Sequence, residues 1–144
     1  MNCRLPVVAV AICGMLAQTE ASAVARSAPE ARAPVRAKVK LELGERTGYE
    51  YQWEFGIMVH VTARTTGRPL ARLHVVATGK MSVPGHSMQT PPTALRAAGP
   101  GIYVGKLAFY MPGDWRIVVS AKGASVVPSV TTFSIFLDPS DRAP

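Results

Sequence analysis

Apolar and polar residues alternate along most of the chain after residue 38, in short runs separated by turns. The clearest run extends from Phe55 to Ala63, where every second residue is apolar and the residues between them include Met58, His60 and Thr62. A period of two is typical of β-strands that bury one face. The pattern predicts seven strands, with inward positions within Val39–Leu43, Phe55–Ala63, Ala71–Ala77, Thr93–Ala97, Tyr103–Phe109, Trp115–Ala121 and Phe133–Leu137.

The composition favours an all-β fold with many turns. The 144 residues include 12 Pro and 12 Gly, and no run shows a convincing helical period. A single open sheet would leave one apolar face in water, so two packed sheets are expected. The sequence therefore predicts an all-β sandwich of about seven antiparallel strands. The segment from Thr78 to Pro92 is predicted to be a long loop.

The first residues have the features of a secretory signal peptide. Arg4 precedes an apolar run from Pro6 to Leu16, and Ala21-Ser22-Ala23 matches a small-x-small cleavage pattern. We expect residues 1–23 to be the signal, 24–37 a linker rich in Ala, Pro and Arg, 38–138 the folded domain and 139–144 a tail. The protein is then periplasmic or secreted after cleavage, and an uncleaved membrane anchor remains the alternative.

Charge and cysteine placement narrow the possible chemistry. Both cysteines, Cys3 and Cys13, lie in the signal segment, so cleavage leaves no disulfide, thiolate metal site or cysteine nucleophile. The net charge is +7, but the basic stretch from Arg26 to Lys40 has no aromatic residues to stack on bases. Nucleic acid is therefore not expected as a partner. No sequence motif of a hydrolase, a metalloprotease or a phosphate-binding loop occurs, so we predict that the protein is not an enzyme.

Five short motifs follow one another in the second half of the chain. They are Gly67-Arg68-Pro69, Met81-Ser82-Val83-Pro84-Gly85-His86-Ser87-Met88, Gly101-Ile102-Tyr103, Phe109-Tyr110-Met111-Pro112-Gly113 and Asp114-Trp115-Arg116-Ile117-Val118-Val119. In this order they resemble the YtkA-like domain family, which is related to the FixH-like proteins of bacterial membranes. The resemblance implies a bacterial, extracytoplasmic, immunoglobulin-like sandwich, whose relatives are often linked to copper handling or to assembly of respiratory oxidases. It also implies that Met81, His86 and Met88 correspond to the Met/His loop of the family.

The residue types of this segment independently favour copper. Met81, His86 and Met88 fall within eight residues, and thioether and imidazole ligands suit copper, especially Cu(I). Met58 and His60 form a second candidate pair, because they are two residues apart on a strand whose other face is apolar. Both side chains should point outward, and they would complete a site if the loop folded across that face. A copper ion bound by these five residues is the predicted ligand.

A non-catalytic interaction module without metal is the competing prediction. Val104, Tyr110 and Val118 are apolar residues at outward strand positions. If they lie together, they form a docking patch for another extracytoplasmic or membrane protein, or for a second copy of the chain. Stoichiometric copper uptake would distinguish the two functions.

Overall fold

The described part of the chain, residues 33–48 and 52–139 of a computed structural model, consists of β-strands and their connections. Nine strands lie in these ranges: β1 Ala37–Thr47, β2 Trp53–Ala63, β3 His74–Val83, β4 His86–Gln89, β5 Thr93–Ala94, β6 Arg96–Gly99, β7 Ile102–Phe109, β8 Gly113–Gly123 and β9 Val126–Leu137. Within the same ranges, no helix is long and apolar enough to cross a membrane.

The strands form two antiparallel sheets that pack face to face. The first sheet has the order β1-β2-β7-β6, and the second has the order β4-β3-β8-β9, with β5 also paired to β3. Buried residues from both sheets belong to one hydrophobic cluster between them. The predicted all-β sandwich is therefore confirmed.

The inner face was largely predictable from the alternation. The largest fully buried side chains are Trp115, Tyr103, Phe109, Leu107 and Ile117, all at predicted inward positions. Leu43 differs, because it is 40% exposed although its position was predicted to point inward. The register of β1 against β2 shifts between Leu43 and Arg46, and such an irregularity bends an edge strand away from regular pairing.

The strand predicted at Thr93–Ala97 is in fact two strands that belong to different sheets. β5 pairs with β3 in the second sheet, whereas β6 pairs with β7 in the first. Between them, the Leu95 amide donates to the Val75 carbonyl at 2.8 Å and the Leu95 side chain is buried. The chain therefore crosses from one sheet to the other at Leu95.

The predicted start of the third strand was also wrong. β3 begins at His74 and not at Ala71, because Arg72 has a φ of 58°. That left-handed conformation interrupts an extended strand.

The prediction of a long loop from Thr78 to Pro92 was wrong. β3 continues to Val83, the chain turns at Pro84-Gly85, and β4 returns antiparallel to β3. Gly79 lies inside β3 and does not end it. Phe109 packs over this position, and a Cβ at Gly79 would lie only 2.6 Å from Phe109 Cε1, so the strand needs a glycine here. The predicted metal-binding segment is therefore a β-hairpin in the second sheet.

The Tyr103 hydroxyl connects the first sheet to the segment that precedes β3. The Leu73 amide donates to this hydroxyl at 3.0 Å, and the hydroxyl donates to the Leu70 carbonyl at 3.0 Å. Tyr103 is 1% exposed. Replacing it by Phe leaves both backbone groups without their partner, so we expect a loss of about 1–3 kcal/mol in the free energy of unfolding.

Urea denaturation of the Tyr103→Phe variant measures this loss. Tyr110→Phe is the matched control, because Tyr110 is 56% exposed and its hydroxyl is accessible to water. The control should unfold like the wild type. Equal stability of the two variants would show that the Tyr103 hydroxyl does not hold the segment.

Candidate functional site

Two of the three predicted hairpin ligands lie directly opposite each other. Met81 on β3 and Met88 on β4 are Cα partners in the antiparallel pairing. Residues paired in this way have side chains on the same face, with Cβ atoms about 4.5–5.5 Å apart. Met81 is 3% exposed, and Met88 is half-buried and packs against the core. The hairpin therefore presents two thioethers to the inner side of the sandwich.

His86 is the third predicted ligand of the hairpin. It is the first residue of β4 and pairs with Val83, directly after the Pro84-Gly85 turn. Its side chain lies outside the described part of the structure. The backbone thus places His86 two residues from Met88 on the same strand.

A third methionine lies at the same end of the sandwich. The Met81 methyl group is 3.0 Å from the point where a side chain on Gly113 would place its Cβ. Met81 therefore reaches the turn that precedes β8, and this turn also contains Met111. Met111 is 41% exposed, and its carbonyl accepts a hydrogen bond from Trp115 Nε1 at 2.9 Å.

We call the region of Met81, Met88 and Met111 the methionine end. Met111 was not among the ligands predicted from the sequence, and it lies two residues before the start of β8.

Met58 and His60 lie elsewhere, on the outer face of the first sheet. Val59 and Val61 alternate with Met58 and His60 along β2, and both valines are fully buried. The pleat of the strand therefore directs Met58 and His60 outward. The hairpin belongs to the second sheet and does not fold across this face. The structure therefore separates the two predicted groups of ligands.

A carboxylate accompanies the outward pair. Glu42 on β1 is the register partner of Met58, and its Oε2 lies 3.6 Å from His60 Nε2. Its other oxygen accepts a hydrogen bond from Lys40 Nζ at 2.8 Å. This hydrogen bond and the charge of Lys40, with a smaller contribution from His60, hold the pKa of the Glu42 carboxyl below its usual value. Glu42 thus stays ionised beside His60 to lower pH than a free glutamate.

The donor types determine which metal fits the methionine end. Within residues 33–48 and 52–139, no three His, Cys, Asp or Glu side chains are grouped as ligands for a metal ion. Thioethers are poor ligands for Zn²⁺ and Ca²⁺, which prefer nitrogen, thiolate or oxygen donors. Two opposed thioethers with a histidine on the same hairpin fit the soft ion Cu(I).

The apolar docking patch predicted from Val104, Tyr110 and Val118 does not form as one surface. Val104 lies on β7 in the first sheet and Val118 on β8 in the second. Because both point outward, they lie on opposite faces of the sandwich. Tyr110 follows β7 and is 56% exposed.

An apolar groove lies instead on the outer face of the first sheet. Its lining includes Leu43, Met58 and Val104, together with Gly44 and Gly56. A Cβ at Gly56 would meet nothing within 4 Å, so the missing side chain leaves the groove open. Met58 thus belongs both to the outward Met/His pair and to the wall of this groove.

The fold and these motifs define a β-sandwich domain with a methionine-rich end, and a family comparison agrees with that class. The family model described as YtkA-like matches residues 54–120, from β2 to the middle of β8. This part of the chain is a YtkA-like domain, and the resemblance to that family is confirmed. The match includes the hairpin, Met58, His60 and Met111. A comparison with curated proteins gave no match.

Proposed function

We propose that this protein is exported and binds Cu(I) through Met81 and Met88, with His86 as the third ligand, in copper handling or in assembly of a respiratory oxidase. The observation that carries the proposal is the direct pairing of Met81 with Met88 on β3 and β4. The YtkA-like domain supports it at the level of the family.

The position of β4 supports reversible loading of the ion. β4 has four residues, lies at the edge of the second sheet and is hydrogen-bonded to β3 alone in the described part of the chain. Edge elements with few contacts open locally at low free-energy cost. Movement of β4 would expose the Met81 sulfur without opening the rest of the sandwich.

Export is part of the proposal because residues 1–23 have the features of a signal peptide, and this segment contains both cysteines. After cleavage, the protein would have to bind Cu(I) without thiolates. Thioethers are suitable for that role in an oxidising compartment, because they do not form disulfides.

Anaerobic Cu(I) titration against a competing chelator tests the proposal. The full chain should carry Cys3→Ser and Cys13→Ser, so that thiols do not contribute. We expect this protein to compete for one equivalent of Cu(I), and the further changes Met81→Leu, His86→Gln and Met88→Leu to abolish binding. Leucine conserves the volume of methionine and keeps the core filled.

The matched control replaces the outward pair, with Met58→Leu and His60→Gln, and should retain binding. If binding survives the hairpin changes and is lost in the control, the ligands are Met58 and His60. If the protein with the unmodified hairpin fails to compete with a weak chelator for Cu(I), the copper proposal is rejected. Binding should weaken as the pH falls through about 6.5, where an unperturbed imidazole becomes protonated and can no longer bind the metal.

The apolar groove favours a second candidate function, a protein-interaction module without metal. Leu43 and Met58 are 40% and 38% exposed in its wall. With a second copy of the chain as the partner, this function predicts self-association that depends on concentration, measured by analytical ultracentrifugation, and no copper uptake.

A further inference from the structure

Cationic residues are concentrated at the end of the sandwich opposite the methionine end. Six exposed side chains lie there, at the start of β1, in the β2–β3 connection and at the end of β8: Arg36, Lys38, Arg64, Arg68, Arg72 and Lys122. We call these six residues the basic end. Hydrogen bonds and register hold it together: the Arg64 amide donates to the Arg36 carbonyl at 2.9 Å, Lys38 pairs with Thr62, and Lys122 pairs with His74.

The acidic residues of the described part lie away from the basic end. Glu45, Glu54, Asp114 and Asp138 lie at or near the opposite ends of their strands, and Glu42 lies at the middle of β1. Within residues 33–48 and 52–139, the ion pairs use Lys40, His60 and Lys106, and none of the six basic-end residues. The charge of the basic end is therefore not neutralised by carboxylates of the described domain.

The chain also enters the domain at this end. The Val35 amide donates to the Ser125 carbonyl at 2.9 Å, and the Val127 amide donates to the Val35 carbonyl at 3.0 Å. A cleft beside this entry is lined by residues 33–36 together with Arg64 and Thr65. The 32 residues before it include three more arginines, Arg4, Arg26 and Arg32, and the apolar run from Pro6 to Leu16.

We infer that the basic end docks on the anionic phospholipid headgroups of a membrane surface. Lys and Arg side chains close to an anionic lipid surface are attracted to it, and the attraction grows with the number of such residues. The charge is spread over several exposed, flexible side chains, which suits a broad negative surface. The inference is independent of copper binding.

Co-sedimentation of the full chain with lipid vesicles tests the inference. We expect binding to vesicles of phosphatidylglycerol and phosphatidylcholine, and much weaker binding to phosphatidylcholine alone. Replacing Arg64, Arg68 and Arg72 by Gln should lower the partition coefficient by about fivefold per residue, or about 100-fold together, since each basic residue near an anionic surface contributes a similar increment. Binding should also weaken as salt is added.

Lys80→Gln, Arg96→Gln and Arg116→Gln together form the matched control. These three residues are exposed and lie away from the basic end. Their replacement removes the same charge as the replacement of Arg64, Arg68 and Arg72. The control should retain most of the binding. A second basic-end set, Arg36→Gln, Lys38→Gln and Lys122→Gln, should reproduce the loss, and thermal melts check that each variant is folded.

Three results would overturn the inference. The first is no binding to anionic vesicles. The second is equal binding to neutral vesicles, which would assign the binding to the apolar run of residues 6–16. The third is an equal loss in the control and the basic-end variants, which would show that net charge matters and the location of the charge does not.

Discussion

Replacing Trp115 by Ala is expected to remove a large part of the stability of the domain. Trp115 is 2% exposed, and its ring meets Phe109 edge to face with centroids 5.0 Å apart. Its Nε1 donates to the Met111 carbonyl at 2.9 Å. Truncating a buried tryptophan costs about 3–5 kcal/mol, out of about 5–15 kcal/mol for a typical domain. Thermal unfolding should show a fall of about 4–8 °C for each kcal/mol lost.

Phe136→Ala is the matched control for Trp115→Ala. Phe136 is also a large aromatic residue of the second sheet, but it is 63% exposed and points away from the core. Its removal should change the free energy of unfolding by about 0.5 kcal/mol or less. If Trp115→Ala is as stable as Phe136→Ala, the contact between Trp115 and Phe109 does not hold the two sheets together.

The inner faces of the central strands could be predicted because the burial of a residue in these strands follows from its neighbours in the sequence. On β2, β7 and β8, apolar residues at every second position are enough to define which face is buried. The division of Thr93–Ala97 could not be predicted in this way. Leu95 separates two short strands whose partners, β3 and β7, lie in different sheets. Strand partners depend on tertiary packing, which periodicity does not encode.

The candidate site was predictable by residue type and less so by position. The segment around Met81 was predicted to be a loop, although Lys80 and Ser82 continue the polar positions of β3 and only Gly79 lacks an apolar side chain at its inward position. Gly79 is instead required where Phe109 crosses β3, a contact between elements far apart in sequence. The outward direction of Met58 and His60 followed from the period of two. The neighbouring Glu42 did not, since it depends on the register of β1.

The two proposals concern opposite ends of one domain and can be tested separately. Strands β3 and β8 each run between the ends: β3 begins near the basic end at His74 and contains Met81 near its other end. A membrane docked at the basic end would leave the methionine end facing away from the lipid. The copper variants should therefore leave vesicle binding unchanged, and the basic-end variants should leave copper binding unchanged.

Met81 has a structural role as well as its proposed role as a ligand, and two substitutions should separate them. Met81 is 3% exposed and belongs to the core cluster. Met81→Ala leaves a cavity and should lower the free energy of unfolding by about 2–5 kcal/mol. Met81→Leu conserves the volume and should lower it by less than about 1.5 kcal/mol. Urea denaturation of the metal-free proteins measures both effects.

The copper titration then isolates the sulfur atom of Met81. Met81→Leu should lower the affinity for Cu(I) while the protein stays folded, because it removes the thioether and keeps the packing. Met58→Ala is the control for stability, since Met58 is 38% exposed on the outer face of the first sheet and should cost much less than Met81→Ala. If Met81→Leu binds Cu(I) as tightly as the wild type, Met81 is a core residue and the ion has other ligands. If Met81→Ala is no less stable than Met58→Ala, the hairpin does not pack against the core as the structure shows.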